Sequence, residues 1–265
     1  MDLYMHSVRP PHLILEEVCV DIGGARILQD LSLTVAEREF VCVIGTSGGG
    51  KTTVLRAIAG LLPVTSGTVM LGGVPVTAPS RRAAMVFQQF ALFPWKNVFS
   101  NVVYGLRVQG RPIEEDRIRQ LLATLKLDRV AGYYPAQLSG GMKQRVGIAR
   151  ALAAEPEVLL LDEPFSSLDA LTRESLQDEV LRLWETSGRM TAVLVTHDID
   201  EALLMGDRVV VVSGPPGHVT FELPVTLPRP RDSQDIREHP DYLRMRKLLR
   251  DALDGAVLPA PETTT

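Results

Sequence analysis

The residues whose chemistry is plainest are Gly45, Thr46, Ser47, Gly48, Gly49, Gly50, Lys51 and Thr52, with Thr53 next in the chain. Glycines at this spacing let backbone N–H groups curl around a β-phosphate, where a Cβ would block the approach. A helix opening directly after the turn would add its partial positive charge. Lys51 is placed to reach the β- and γ-phosphates, and the Thr52 hydroxyl to ligate Mg²⁺. This pattern predicts nucleotide binding. It does not by itself separate kinases, GTPases and transport ATPases.

Two further groups share that logic. The apolar run 158–161 ends in Asp162 and Glu163. Buried carboxylates are costly unless they meet a cation or hydrogen-bond donors. Asp162 is therefore expected to hold the Mg²⁺ shell. Glu163, facing another way along the strand, is expected to polarise an attacking water. The apolar run 191–195 ends in Thr196-His197-Asp198, which places His197 as a sensor of the γ-phosphate.

Elements able to position these groups are legible around them. The run 40–44 is uninterrupted apolar sequence, the pattern of a strand buried on both faces, and a helix is predicted over 52–60. Segments 13–20 and 27–35 alternate as antiparallel strands joined through Gly23-Gly24. Short strands are predicted at 68–71 and 83–87. From 88 to 150 continuous apolar strands are missing, and Pro94, Pro112 and Pro135 separate three helical patterns. Strands return at 158–161, 191–195 and 209–213, with helices at 170–185 and 199–205 between them. A loop-and-strand segment at 215–230 precedes a basic amphipathic helix at 241–253, whose Arg244, Arg246, Lys247 and Arg250 read as a solvated face. The tail at about 255–265 reads as frayed. These patterns predict one α/β domain over 1–265: a mostly parallel sheet with helices on both faces, an N-terminal antiparallel β subdomain and an inserted helical subdomain.

The bulk composition is compatible with this. The chain has 265 residues, 45% hydrophobic and 23% charged, and a formal net charge of −4. No basic excess points to nucleic acid as a partner. Cys19 and Cys42 lie in apolar runs and are expected to be buried thiols. The N-terminus lacks the apolar core of a signal peptide. The uncharged stretch 57–80 is too broken by Pro and Gly to span a membrane, so any membrane association is expected to come through a partner.

The segment Leu138-Ser139-Gly140-Gly141-Met142-Lys143-Gln144-Arg145, ahead of a helix expected at 146–153, resembles the signature motif of ABC transporter ATPases, with Met142 where Gln is commoner. Other motifs of that family follow in order. Gln88 matches the Q-loop glutamine. Ser166-Ser167-Leu168-Asp169 matches the D-loop, with Ser167 where Ala is commoner. His197 matches the switch histidine. The resemblance covers about 13–249.

It implies a P-loop, RecA-like fold that binds ATP and Mg²⁺, with Gln88 joining Thr52 and Asp162 at the metal. It implies that Glu163, His197, Gln88 and Lys51 serve hydrolysis. It also implies a head-to-tail homodimer, in which Ser139, Gly140 and Gly141 of one copy cover the ATP of the other. Leu92-Phe93-Pro94-Trp95-Lys96-Asn97-Val98, Tyr134-Pro135, Thr172-Arg173 and Pro215-Pro216-Gly217 are similar to the subunits of nitrate, sulfonate and taurine importers. That likeness implies transmembrane permease partners docked on the helical insert, a periplasmic or extracellular solute-binding protein reached through the permease, and a peripheral place on the cytoplasmic face of the membrane.

Two departures from the family stand out. Ile22 falls where an aromatic residue usually stacks on adenine, with Tyr4 the nearest earlier aromatic. Arg38 replaces a turn glycine, which implies either a turn without positive φ or a strained one. A different P-loop phosphotransferase would have no use for Ser139 to Met142. Non-transport ABC ATPases usually carry tandem domains or long coiled-coil inserts, and this sequence displays neither.

Overall fold

The computed structural model describes residues 10–231 and 235–255. Strands β1 (Pro11–Ile22) and β2 (Ala25–Ala36) form the expected antiparallel pair around Gly23-Gly24. They join β4 (Ser66–Leu71) and the two-residue β5 (Val74–Pro75) in a small sheet of order β2-β1-β4-β5. A larger sheet has the order β10-β9-β3-β8-β7-β6. It is built from β3 (Phe40–Gly45), β6 (Ala83–Val86), β7 (Val158–Asp162), β8 (Thr191–Val195), β9 (Arg208–Ser213) and β10 (His218–Pro224). All neighbours in it are parallel except β10, which runs antiparallel to β9.

Alternation along the central strands divides the core in two. Phe40, Cys42, Ile44, Leu159, Leu161, Ala192 and Leu194 point to one face. There they meet α6 (Ala170–Ser187), α7 (Ile199–Met205), α8 (Pro240–Leu253) and the helical insert. Val41, Val43, Leu160, Val193 and Val195 point to the other, where they meet α1 (Lys51–Ile58) and the small antiparallel sheet. Helices thus cover both faces of the large sheet, as expected. On the second face one short helix shares the cover with a sheet, because the alternating apolar residues of β1 and β2 need a partner as well.

The insert carries α2 (Val98–Val102), α3 (Tyr104–Val108), α4 (Glu115–Thr124) and α5 (Gly140–Ala153). Asn97 caps α2, its side chain accepting the Ser100 N–H. The helix expected at 146–153 begins six residues earlier than its apolar pattern indicates. Ser139 caps it, its hydroxyl accepting the Met142 N–H, and this outweighs the poor helix propensity of Gly140 and Gly141. Arg38, in the turn between β2 and β3, has φ 58°, so the turn is the strained alternative and not a relaxed one. Cys19 and Cys42 are buried free thiols. No helix among the described residues is long and apolar enough to cross a membrane. Tyr4 and residues 256–265 lie outside the described residues.

Candidate functional site

Parallel strands deliver their C-terminal ends to one edge of the large sheet, the edge at which ligands bind in such folds. β3 ends in the glycine turn, β6 runs out two residues before Gln88, β7 ends at Asp162 and β8 stops just short of Thr196. The chemically conspicuous residues are therefore neighbours because their strands are.

The glycine turn packs tightly on its surroundings. A Cβ on Gly45 would lie 1.9 Å from the Val212 carbonyl oxygen. One on Gly50, at φ 83°, would meet the Leu28 side chain at 2.5 Å. Gly50 is the N-cap of α1, where no side chain caps the helix and no acid occupies its first turn. The N–H groups of that turn, Thr52 and Thr53 included, remain available to an anion. Lys51 is only 8% exposed. Its ammonium donates to the carbonyls of Gly45 and Thr46, each at 2.9 Å, and so ties the turn to its own helix. Burial pulls the Lys51 pKa below its ordinary value, against the opposing charges of Glu163 and Asp162. Ser47, Gly48 and Gly49 complete the loop, with the Gly49 N–H donating to the Thr46 carbonyl at 3.2 Å.

Across from this turn, the Thr52 hydroxyl donates to Asp162 Oδ1 at 2.9 Å. Burial raises the Asp162 pKa above the usual carboxylate value, and the Thr52 hydrogen bond works against that rise. Glu163 follows in the left-handed region, at φ 44°, a conformation that costs on the order of 1 kcal/mol or more for a residue with a Cβ. Its backbone is held from both sides. The Glu163 N–H donates to the Val195 carbonyl at 2.9 Å, and its own carbonyl accepts the Ser166 hydroxyl at 3.0 Å. The bend directs the carboxylate to two partners. Glu163 Oε2 accepts the Gln88 side-chain amide at 3.3 Å and lies 3.3 Å from His197 Nδ1. Lys51, Thr52, Asp162, Glu163, Gln88 and His197 thus form one connected edge, with Gln88 and His197 exposed.

Ser139, Gly140 and Gly141 make a separate patch. Ser139 and Gly140 are exposed at the start of the 14-residue α5, and among the described residues no hydrogen bond connects them to the glycine turn or to Glu163. One residue of this edge was not anticipated. Glu201 is buried behind His197, accepting from the Gln177 amide at 2.9 Å and from the Thr196 hydroxyl. Burial lifts its pKa to about 7. The only sequence signal is an acid in the apolar segment 199–205, five residues after Thr196.

Known proteins place this arrangement. The model of the ABC transporter family matches residues 28–166. The taurine import ATP-binding protein TauB of Escherichia coli O157:H7 is 41% identical over 243 residues, covering 89% of this chain and 94% of TauB. The bicarbonate transport ATP-binding protein CmpD of Synechocystis is 42% identical over 240 residues, covering 87% of this chain and 83% of CmpD. Among solved structures, the dimeric post-hydrolysis state of the ATP-binding cassette MJ0796, bound to ADP and Pi, superposes with a TM-score of 0.71 at 34% identity. That match covers 80% of this chain and 98% of MJ0796. With its glycine turn, paired acids and exposed Ser139 patch in one α/β fold, this chain belongs to the ABC transporter family as an ATP-binding, ATP-hydrolysing subunit.

Proposed function

We propose that the chain is a single cassette domain that powers import of a small anion, with two copies pairing head to tail around two ATP molecules. The observation that carries the hydrolytic part is the convergence of Gln88 and His197 on one carboxylate oxygen of Glu163, beside the Thr52–Asp162 pair.

The Thr52 hydroxyl and the Asp162 carboxylate suit Mg²⁺, a hard cation usually bound by one or two carboxylates together with substrate phosphates. No cluster of three or more His, Cys, Asp or Glu residues able to hold a metal exists among the described residues, so phosphate oxygens would complete the shell, with Gln88 at its border. When bound, Mg²⁺ supplies neutralisation of phosphate charge. Lys51 and the N–H groups of the glycine turn that stay unpaired, those opening α1 included, hold the β- and γ-phosphates. Glu163 takes up a proton from the attacking water, and His197 and Gln88 orient that carboxylate. Ser139, Gly140 and the start of α5 offer anion-binding donors to the nucleotide held by the other copy. The γ-phosphate would bind the pair together, and its loss would release it.

The insert supplies the docking surface for a transmembrane permease, with Trp95, 71% exposed, beside Phe93. The chain would then sit peripherally on the cytoplasmic face, and a solute-binding protein outside would select the solute. Kinship with TauB and CmpD supports a small solute bearing an acidic group, such as taurine or bicarbonate, and aliphatic sulfonates and nitrate share that chemistry. The test is to purify the chain with its permease in lipid discs, add the solute-binding protein, and titrate each anion. One anion is expected to stimulate ATP hydrolysis severalfold; a panel in which none does so contradicts the assignment.

A further inference from the structure

Consecutive side chains in the first turn of α6 touch two different functional loops. Thr172 packs on the Ser139 patch so closely that a Cβ on Gly141 would fall 2.6 Å from Thr172 Cγ2. Arg173 reaches the other way. Its Nη2 donates to the Leu168 carbonyl at 3.0 Å, and its Nη1 stands 3.9 Å from Asp198 Oδ2. Asp198 is the neighbour of His197 and caps α7, its Oδ1 accepting the N–H groups of Asp200 at 2.9 Å and Glu201 at 3.3 Å. Gln177, one turn further along α6, ties the same helix to Glu201. The start of α6 is thus packed on the start of α5 and within ion-pair distance of the loop that carries His197.

The ion pair with Asp198 contributes little to stability, although Arg173 also offsets the charge of the buried Glu201. The Arg173 and Asp198 side chains are 34% and 38% exposed, and a pair so exposed contributes about 0–1 kcal/mol to folding. Arg173 Nε is buried without a hydrogen-bond partner, which is unfavourable for a charged group. The guanidinium donates to a carbonyl of one loop and stands within ion-pair distance of a carboxylate in another, a reach that depends on its fork shape as well as its charge.

We propose that Thr172 and Arg173 couple the two nucleotide sites of the paired subunits. Movement of Gly141 as the Ser139 patch closes on the neighbour's γ-phosphate is passed through Thr172 to the first turn of α6. Arg173 then passes it to Asp198, which sets His197 against this copy's own nucleotide. Both are positioning residues. The inference rests on the paired-subunit reading above.

The full chain with Arg173→Gln, Arg173→Lys or Thr172→Ser tests it, through ATP hydrolysis measured against ATP concentration and through thermal unfolding. The unaltered chain is expected to show a Hill coefficient approaching about 2, and Arg173→Gln one of about 1 with kcat lowered about tenfold and KM within about twofold. Arg173→Lys also loses the cooperativity, since one ammonium cannot span the Leu168 carbonyl and Asp198. Thr172→Ser, which removes the methyl against Gly141, lowers the Hill coefficient in the same direction. An unchanged Hill coefficient in both Arg173 variants, or a loss of kcat that merely follows a lowered unfolding midpoint, overturns the coupling and leaves the pairing intact. An unaltered chain with a Hill coefficient of about 1 and no ATP-dependent dimer overturns both.

Discussion

His197 Nδ1 stands 3.3 Å from the same Glu163 oxygen that accepts the Gln88 amide. The two residues come from the ends of different strands, and Glu163 itself leaves its strand in a left-handed turn pinned by Val195 and Ser166. Strain at one backbone position thus aims a carboxylate where two flanking loops can hold it.

Removing the imidazole should release that carboxylate without disturbing the phosphate cradle. His197→Ala is expected to lower kcat by about 10- to 100-fold with KM changed less than about threefold. Steady-state hydrolysis over a range of ATP concentrations is the check, and a rise in KM at constant kcat would place His197 in nucleotide binding instead.

Lys51 bonds its own loop carbonyls in the structure and is expected to turn to the phosphates when nucleotide enters. Lys51→Ala should therefore lose both ATP affinity and turnover, by about tenfold or more for binding. Equilibrium binding of a fluorescent ATP analogue reads the first loss directly. Undiminished affinity and turnover would mean the phosphates sit elsewhere.

Asp162→Asn keeps the shape of the side chain and removes its charge. The Mg²⁺ concentration giving half-maximal hydrolysis is expected to rise about tenfold or more, with the folded state retained. Titration of Mg²⁺ at fixed ATP decides this. An unchanged requirement removes Asp162 from the metal site.

Glu201 links pH to stability. Its folded pKa of about 7 exceeds the ordinary 4.5, so the carboxyl is neutral in both states below pH 4.5 and costs nothing there. Between pH 4.5 and 7 the unfolded chain ionises first and folding stability falls, by on the order of 3 kcal/mol, then levels above pH 7. Glu201→Gln removes this contribution, so its stability relative to the unaltered chain should rise across that window. Urea unfolding at pH 4.5 and pH 8 measures it, and parallel pH dependences for the two chains would contradict the burial cost.

Much of this was legible because the chemistry sits at the ends of buried strands. The runs at 40–44, 158–161 and 192–195 are unbroken apolar sequence, and each stops at a residue able to bind phosphate, metal or water. Their parallel pairing brings those residues to one edge, and the apolar pattern of the sequence requires that pairing. The start of α5 was legible only to within six residues, since its apolar pattern begins at Val146 whereas the Ser139 cap starts the helix at Gly140. Glu201 was hidden for a different reason. An acid in the first turn of a short helix ordinarily faces water, and only the packing of α6 against α7, with Gln177 and Thr196 as donors, buries this one. The left-handed bend at Glu163 likewise depends on a tertiary hydrogen bond, to the Val195 carbonyl, that no local pattern encodes.

A nucleotide site shared between two copies is tested most directly by the mass of Glu163→Gln in solution, measured by light scattering with ATP and with ADP. Hydrolysis should fall about 100-fold or more while ATP still binds, and the ATP-loaded variant should run as a dimer that ADP does not support. A monomer at every nucleotide concentration, or full turnover without Glu163, would contradict the shared site.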